Sequence, residues 1–232
     1  MMSKKFLRGM VLANTGNFLF HGDTFVPRRF MKMLFLLALG GVLTLSARAD
    51  TFTFKANHMS GGRASGKEVT VLSGNAEVQS DNLLLTADRI ELQGDNNQYI
   101  ECFGNVQGRD EEKDILFITE RLRYDRNLKI ARLEGDSTLE DRKNEIVAKG
   151  RFIEYDDQAE LTVFQISVRL FKDTMVCRSE YAIYRREEKL LDLSGFPVVY
   201  KDSDEFRADK IRVDLDTDDV TMEGSVSGSI KG

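Results

Sequence analysis

An internal period of about thirty residues constrains this chain more than any other feature, because repeats of that length bury their apolar faces only by stacking on their neighbours. One series reads apolar-x-Gly-polar-apolar. It runs through Leu72-Ser73-Gly74-Asn75-Ala76, Cys102-Phe103-Gly104-Asn105-Val106, Leu133-Glu134-Gly135-Asp136-Ser137, Leu193-Ser194-Gly195-Phe196-Pro197 and Met222-Glu223-Gly224-Ser225-Val226, with Val163-Phe164-Gln165 in the fourth place. Its anchors, at 74, 104, 135, 165, 195 and 224, stand 29 to 31 residues apart. A second series lies between them at Phe54 to Met59, Leu85 to Ile90, Phe117 to Leu122 and Phe206 to Ile211, with weaker copies at Val147 to Phe152 and Cys177 to Ala182. Two interleaved series imply two strands per repeat and about six repeats.

The periodicity within each copy is that of strands. Leu72, Gly74, Ala76 and Val78 alternate with Ser73, Asn75, Glu77 and Gln79, so one face is buried and one is wet. Clusters rich in Asp, Asn and Gly, such as Asp110 to Asp114, Asp125-Arg126-Asn127 and Asp141 to Asn144, mark a reversal about every 15 residues, the spacing of an antiparallel meander of long strands. After Leu83, Leu85 and Ala87 the next apolar residues are Ile90 and Leu92. That parity slip would turn every later side chain outward unless a bulge absorbs it, so each such strand is predicted to bend from one sheet into a facing one. Beyond residue 49 there is a single proline, Pro197, consistent with a sheet in which nearly every N–H is needed. The fold class is all-β, and the same alternation excludes a helical solenoid.

The N-terminus points to export. Arg28, Arg29 and Lys32 precede an apolar run from Met33 to Leu45, and Ala47-Arg48-Ala49 follows with small residues at the cleavage positions. Residues 31–49 are expected to be a signal peptide cleaved after Ala49, giving a periplasmic protein. Residues 1–30 precede a second start at Met31 and are expected to be an over-extended N-terminus. The run of thirteen residues falls short of the roughly 20 that a membrane-spanning helix needs. Residues 50–232 carry 26 Lys+Arg and 37 Asp+Glu, a formal charge of −11, which overall repels phosphate backbones and anionic headgroups and argues against a nucleic-acid partner.

These repeats resemble the OstA-like domain of the lipopolysaccharide-export periplasmic bridge proteins (LptA type), whose copies read like Leu72 to Ala76 followed by Leu85 to Ile90. The likeness extends over residues 52 to 230, nearly all of the domain expected at 50–232. It implies an open, twisted antiparallel β-jellyroll whose apolar interior shields the acyl chains of lipopolysaccharide or a related glycolipid in transit from inner to outer membrane. It also implies head-to-tail docking with the same fold in inner- and outer-membrane partners, and with further copies of the chain. The edges available for strand addition are Phe52 to Met59 and Thr221 to Ile230. The expected interior lining is Leu72, Val78, Leu85, Ile90, Val106, Phe117, Leu122, Leu133, Val147, Phe152, Leu193, Phe206 and Ile211. Two other readings stay open: a membrane-anchored bridge subunit that keeps residues 33 to 45, and a structural envelope protein with no ligand.

Other signals carry less. Gly61-Gly62-Arg63-Ala64-Ser65-Gly66-Lys67 has the spacing of a phosphate-binding loop, but Glu68 replaces the Ser or Thr that would bind magnesium, and a strand pattern follows where a helix should. Cys102 and Cys177 lie too many strands apart for a disulfide, which favours buried free thiols. His58 stands in a slot held elsewhere by Arg89, Arg121 and Lys210, a surface position. No catalytic constellation, metal site or cofactor motif is expected.

Overall fold

The structure of the protein is a computed structural model that describes residues 52–64 and 67–231. The expected signal at 31–49, its cleavage point and the segment 1–30 lie outside the described residues, as does the centre of the glycine loop at 65–66. Sixteen strands follow in order: β1 Phe52–Lys55, β2 His58–Ala64, β3 Lys67–Ser80, β4 Leu83–Gln93, β5 Tyr99–Asp110, β6 Ile115–Asp125, β7 Ile130–Asp141, β8 Ile146–Asp156, β9 Leu161–Lys172, β10 Met175–Arg185, β11 Leu190–Ser194, β12 Val198–Lys201, β13 Asp204–Arg207, β14 Lys210–Asp214, β15 Val220–Glu223 and β16 Ser227–Ser229. They make one antiparallel sheet that does not close on itself.

The predicted bend is present in every long strand. The register shifts once in each pairing from β3 to β10, at Ser73/Ala76, Thr86/Arg89, Phe103/Val106, Ile118/Arg121, Glu134/Ser137, Lys149/Phe152 and Ser179/Tyr181. These aligned bulges form a spine that divides the sheet into two facing leaves. The first leaf takes the N-terminal halves of β3, β5, β7 and β9 and the C-terminal halves of β4, β6, β8 and β10, with β2, β11, β14 and β15. The second takes the other halves, with β1, β12, β13 and β16. Hairpin turns on the side away from the spine form two lips. Toward the C-terminus the bent strand breaks in two, and Pro197, which cannot donate to a ladder, lies in the break between β11 and β12.

The spine explains the repeated glycine. Gly104 has φ +71, and a Cβ there would lie 2.5 Å from Oδ2 of Asp88, so both conformation and space demand glycine. The Asp88 carboxylate in turn accepts a hydrogen bond from Asn105 Nδ2 at 2.9 Å. Glu120, Glu180 and Asp209 stand in the same relation to Gly135, Gly195 and Gly224. In the fourth repeat Gln165 replaces glycine, and the left-handed conformation moves to Ile166 (φ 66) and Ser167 (φ 56). A β-branched residue there is strained, and the Ile166 side chain is 51% exposed, so little burial offsets the cost. Ile166→Asn is therefore expected to raise stability by about 1 kcal/mol, read as a higher urea midpoint with an unchanged slope.

Both leaves contribute to a single apolar core that extends from Leu72 to Leu215. Cys102 and Cys177 lie within it as free thiols, and burial pushes the Cys177 thiol up to about 12. Among the described residues, no helix is long and apolar enough to cross a membrane.

Candidate functional site

Most of the expected lining residues meet inside. Leu72, Val78, Leu85, Ile90, Val106, Leu122 and Leu133 are wholly buried, and Phe117, Leu193 and Ile211 nearly so. They pack on one another across the two leaves, so the interior is shut. Val147 and Phe152 do not belong to this set. Both are half-buried on the outer face, while Ile146, Ala148, Gly150, Ile153 and Tyr155 point inward. Val147 has an apolar neighbour in Ile146 and Phe152 has one in Ile153, so alternation alone could not fix the parity. Phe206 faces inward beside Val199, yet it is only partly covered, because β13 is followed on that leaf by β16 alone.

Above this core the lips meet in a polar seam that hydrophobic periodicity did not reveal. Lys113, in the turn after β5, holds Asp157 at 2.7 Å and Glu160 at 2.9 Å, both in the turn after β8. Arg186, just past β10, donates from Nε to Asp141 Oδ2 at 2.8 Å and from Nη2 to Asp141 Oδ1 at 3.3 Å, a bidentate clamp. It also donates to Glu160 Oε2 at 3.3 Å and to the Lys113 carbonyl at 2.9 Å, which joins the two pairs into one network. The Tyr184 hydroxyl donates to Asp141 at 3.1 Å. Asp141 is wholly buried and Arg186 is 8% exposed. Two further cross-lip contacts are Arg126 to Ser80 at 2.8 Å and Lys172 to Asp218 at 3.3 Å.

The electrostatics follow from this wiring. Burial alone would lower Lys113, but hydrogen bonds and charge from Asp157 and Glu160 hold its ammonium above the usual lysine range. Burial would raise Glu160, and Lys113 and Arg186 overcome it, keeping the carboxylate below its ordinary value. Asp110 goes the other way, raised chiefly by burial.

The turn sequences contain the one signal that could have located this seam. Asp110, Asp125, Asp141 and Asp156 stand 15 or 16 residues apart, and each accepts backbone N–H groups of its own turn, the Asx geometry that favours Asp there. Asp141 does this while also holding Arg186. Within the seam is a cavity of about 60 Å³ lined by Lys113, Asp157, Asp81 and Asp110 among other polar residues, and by Leu83, Phe117, Tyr124, Ala131 and Tyr155. Two larger concavities, of about 360 and 340 Å³, lie outside the closed interior. The first is lined by residues such as Tyr181, Asp192 and Arg212, the second by Leu84, Arg109 and Ile118. The seam therefore closes the interior along the lips.

Among curated proteins nothing matches the chain. Among solved structures, the chain is similar to the crystal structure of LptH, the LptA homologous periplasmic component of the conserved lipopolysaccharide transport device from Pseudomonas aeruginosa. The identity is 12% over 78% of this chain and 96% of that one, with a TM-score of 0.24. The model of the OstA-like protein family matches residues 49–214, the segment that holds nearly all of the repeats, and the chain belongs to that family.

Proposed function

We propose that this protein is a periplasmic bridge that takes up lipopolysaccharide or a related glycolipid, shields its acyl chains between the two leaves, and passes it from inner to outer membrane. The observation that carries the reading is the interior itself, one apolar seam running the length of the stack beneath a polar rim. Burying a chain of about twelve methylenes is worth roughly 10 kcal/mol relative to water. Leaving a bilayer costs a similar amount, so the transfer is near neutral and its direction comes from a powered partner.

The ends support relay to neighbours. Phe54 and Met59 share the inward parity of Val78 and Leu72 through their strand pairings, yet they are 43% and 59% exposed. At the other end β15 and β16 are the last strands of their leaves. Strand addition at β1 and β2 on one side, and at β15 and β16 on the other, would continue both leaves into the same fold of an inner-membrane partner, an outer-membrane partner or a second copy.

A ligand-free structural role is the second reading, favoured by the closed packing of the interior. Native mass spectrometry of protein purified from its own envelope fraction, followed by lipid extraction, separates the two. The relay predicts a co-purifying glycolipid that is lost in Phe117→Asp, with the β signature of that variant checked by circular dichroism. Protein that is lipid-free and captures no added glycolipid would establish the structural role.

A further inference from the structure

The two leaves differ in how their outer faces use charge. On the first leaf, cations meet anions across adjacent strands: Arg123 is opposite Glu101, Arg132 opposite Glu154 and Arg212 opposite Asp192, and each pair is in ion contact. Arg123 and Arg132 are themselves directly opposite each other, but each holds an acid on its other side. On the second leaf, Lys149 of β8 is directly opposite Arg169 of β9, and Arg169 is directly opposite Arg178 of β10. All three are exposed. Among the described residues none of the three forms an ion pair; of the nearby acids, Glu140 is held by Arg142 at 3.0 Å and Glu180 accepts the Ser167 N–H at 3.1 Å. Like charges placed directly opposite each other destabilise a sheet. A domain with a net charge of −11 could relieve them with its many carboxylates, as it does on the first leaf.

A second row runs beside this one on the lip side. Val147, Phe171, Val176 and Tyr200 are successive cross-strand neighbours, all half-buried and facing outward. The Arg178 guanidinium lies 5.4 Å from the centre of the Tyr200 ring. The cations are spread over about 10 Å across three strands, an extended row that matches a plane of anions better than one small anion. Basic side chains beside aliphatic and aromatic ones are the composition that settles at a headgroup boundary.

We propose that the outer face of the second leaf between β8 and β10 docks on the surface of an anionic lipid bilayer through Lys149, Arg169 and Arg178. The interior plays no part in this contact, so a protein that failed to carry glycolipid would still bind, and the two readings fail separately.

The test is co-sedimentation of the full chain with vesicles of phosphatidylcholine alone and of phosphatidylcholine mixed with phosphatidylglycerol. Binding is expected only to the mixed vesicles, weakening as salt is raised. The triple variant Lys149→Ser, Arg169→Ser, Arg178→Ser should lose about a hundredfold in partitioning, roughly fivefold per cation. Its melting temperature should equal or exceed that of the wild type, because the like-charge contacts are gone. Absence of wild-type binding, or equal binding by the triple variant, overturns the proposal. Capture of soluble poly-glutamate in place of vesicles would assign the patch to an acidic polypeptide and overturn it too.

Discussion

Replacing Asp141 with alanine is expected to remove about 3 to 5 kcal/mol of stability, the cost of leaving a buried charge without its partner. The Asp141 carboxylate receives both Arg186 and the Tyr184 hydroxyl, and burial deprives the guanidinium of water to replace it. Glu160 and the Lys113 carbonyl remain on Arg186, which sets the lower end of the range. Urea unfolding of the single variant measures the loss. The double variant Asp141→Leu, Arg186→Met should recover most of it, since an apolar pair of similar volume often matches or exceeds a buried ion pair. A single-variant loss below about 1 kcal/mol, the size of one ordinary hydrogen bond, would mean that the seam contributes little to holding the leaves together.

Pinning the lips should have the largest effect on function. Cysteines in place of Lys113 and Asp157, whose side chains meet at 2.7 Å, can be joined by a short bismaleimide while the native Cys102 and Cys177 stay buried and unreactive. If glycolipid enters by separation of the leaves, the joined protein should load about tenfold less or worse, because the competent state is no longer populated. The same variant capped with a monofunctional maleimide should load as well as or better than the wild type. Equal loading by the joined protein would place admission at the ends of the stack.

Much of the fold was legible because the sheet has a strict period of two. The slip between Ala87 and Ile90 was enough to predict a bend, and the bulges occur where that slip demands. Where two apolar residues adjoin, as at Ile146-Val147 and Phe152-Ile153, the period is silent, and the backbone chose the parity opposite to expectation. The polar seam was hidden for another reason. Asp141 looks like any turn aspartate, and its partner Arg186 lies 45 residues on, a distance that local patterns do not span. Lys149, Arg169 and Arg178 are scattered in sequence and become a row only through strand register.

The spacing of the lip contacts has a geometric result. Lys113 meets Asp157 across 44 residues, Arg126 meets Ser80 across 46, and Lys172 meets Asp218 across 46. In each case the partners are a repeat and a half apart, so one leaf is displaced along the stack by three strands relative to the other. A stack sheared in this way cannot finish flush. One leaf overhangs at the start and the other at the finish, so that each terminus is a step, like the halves of a lap joint. Two such steps fit in one orientation only, so a joint between like folds would carry its own direction without any added recognition element.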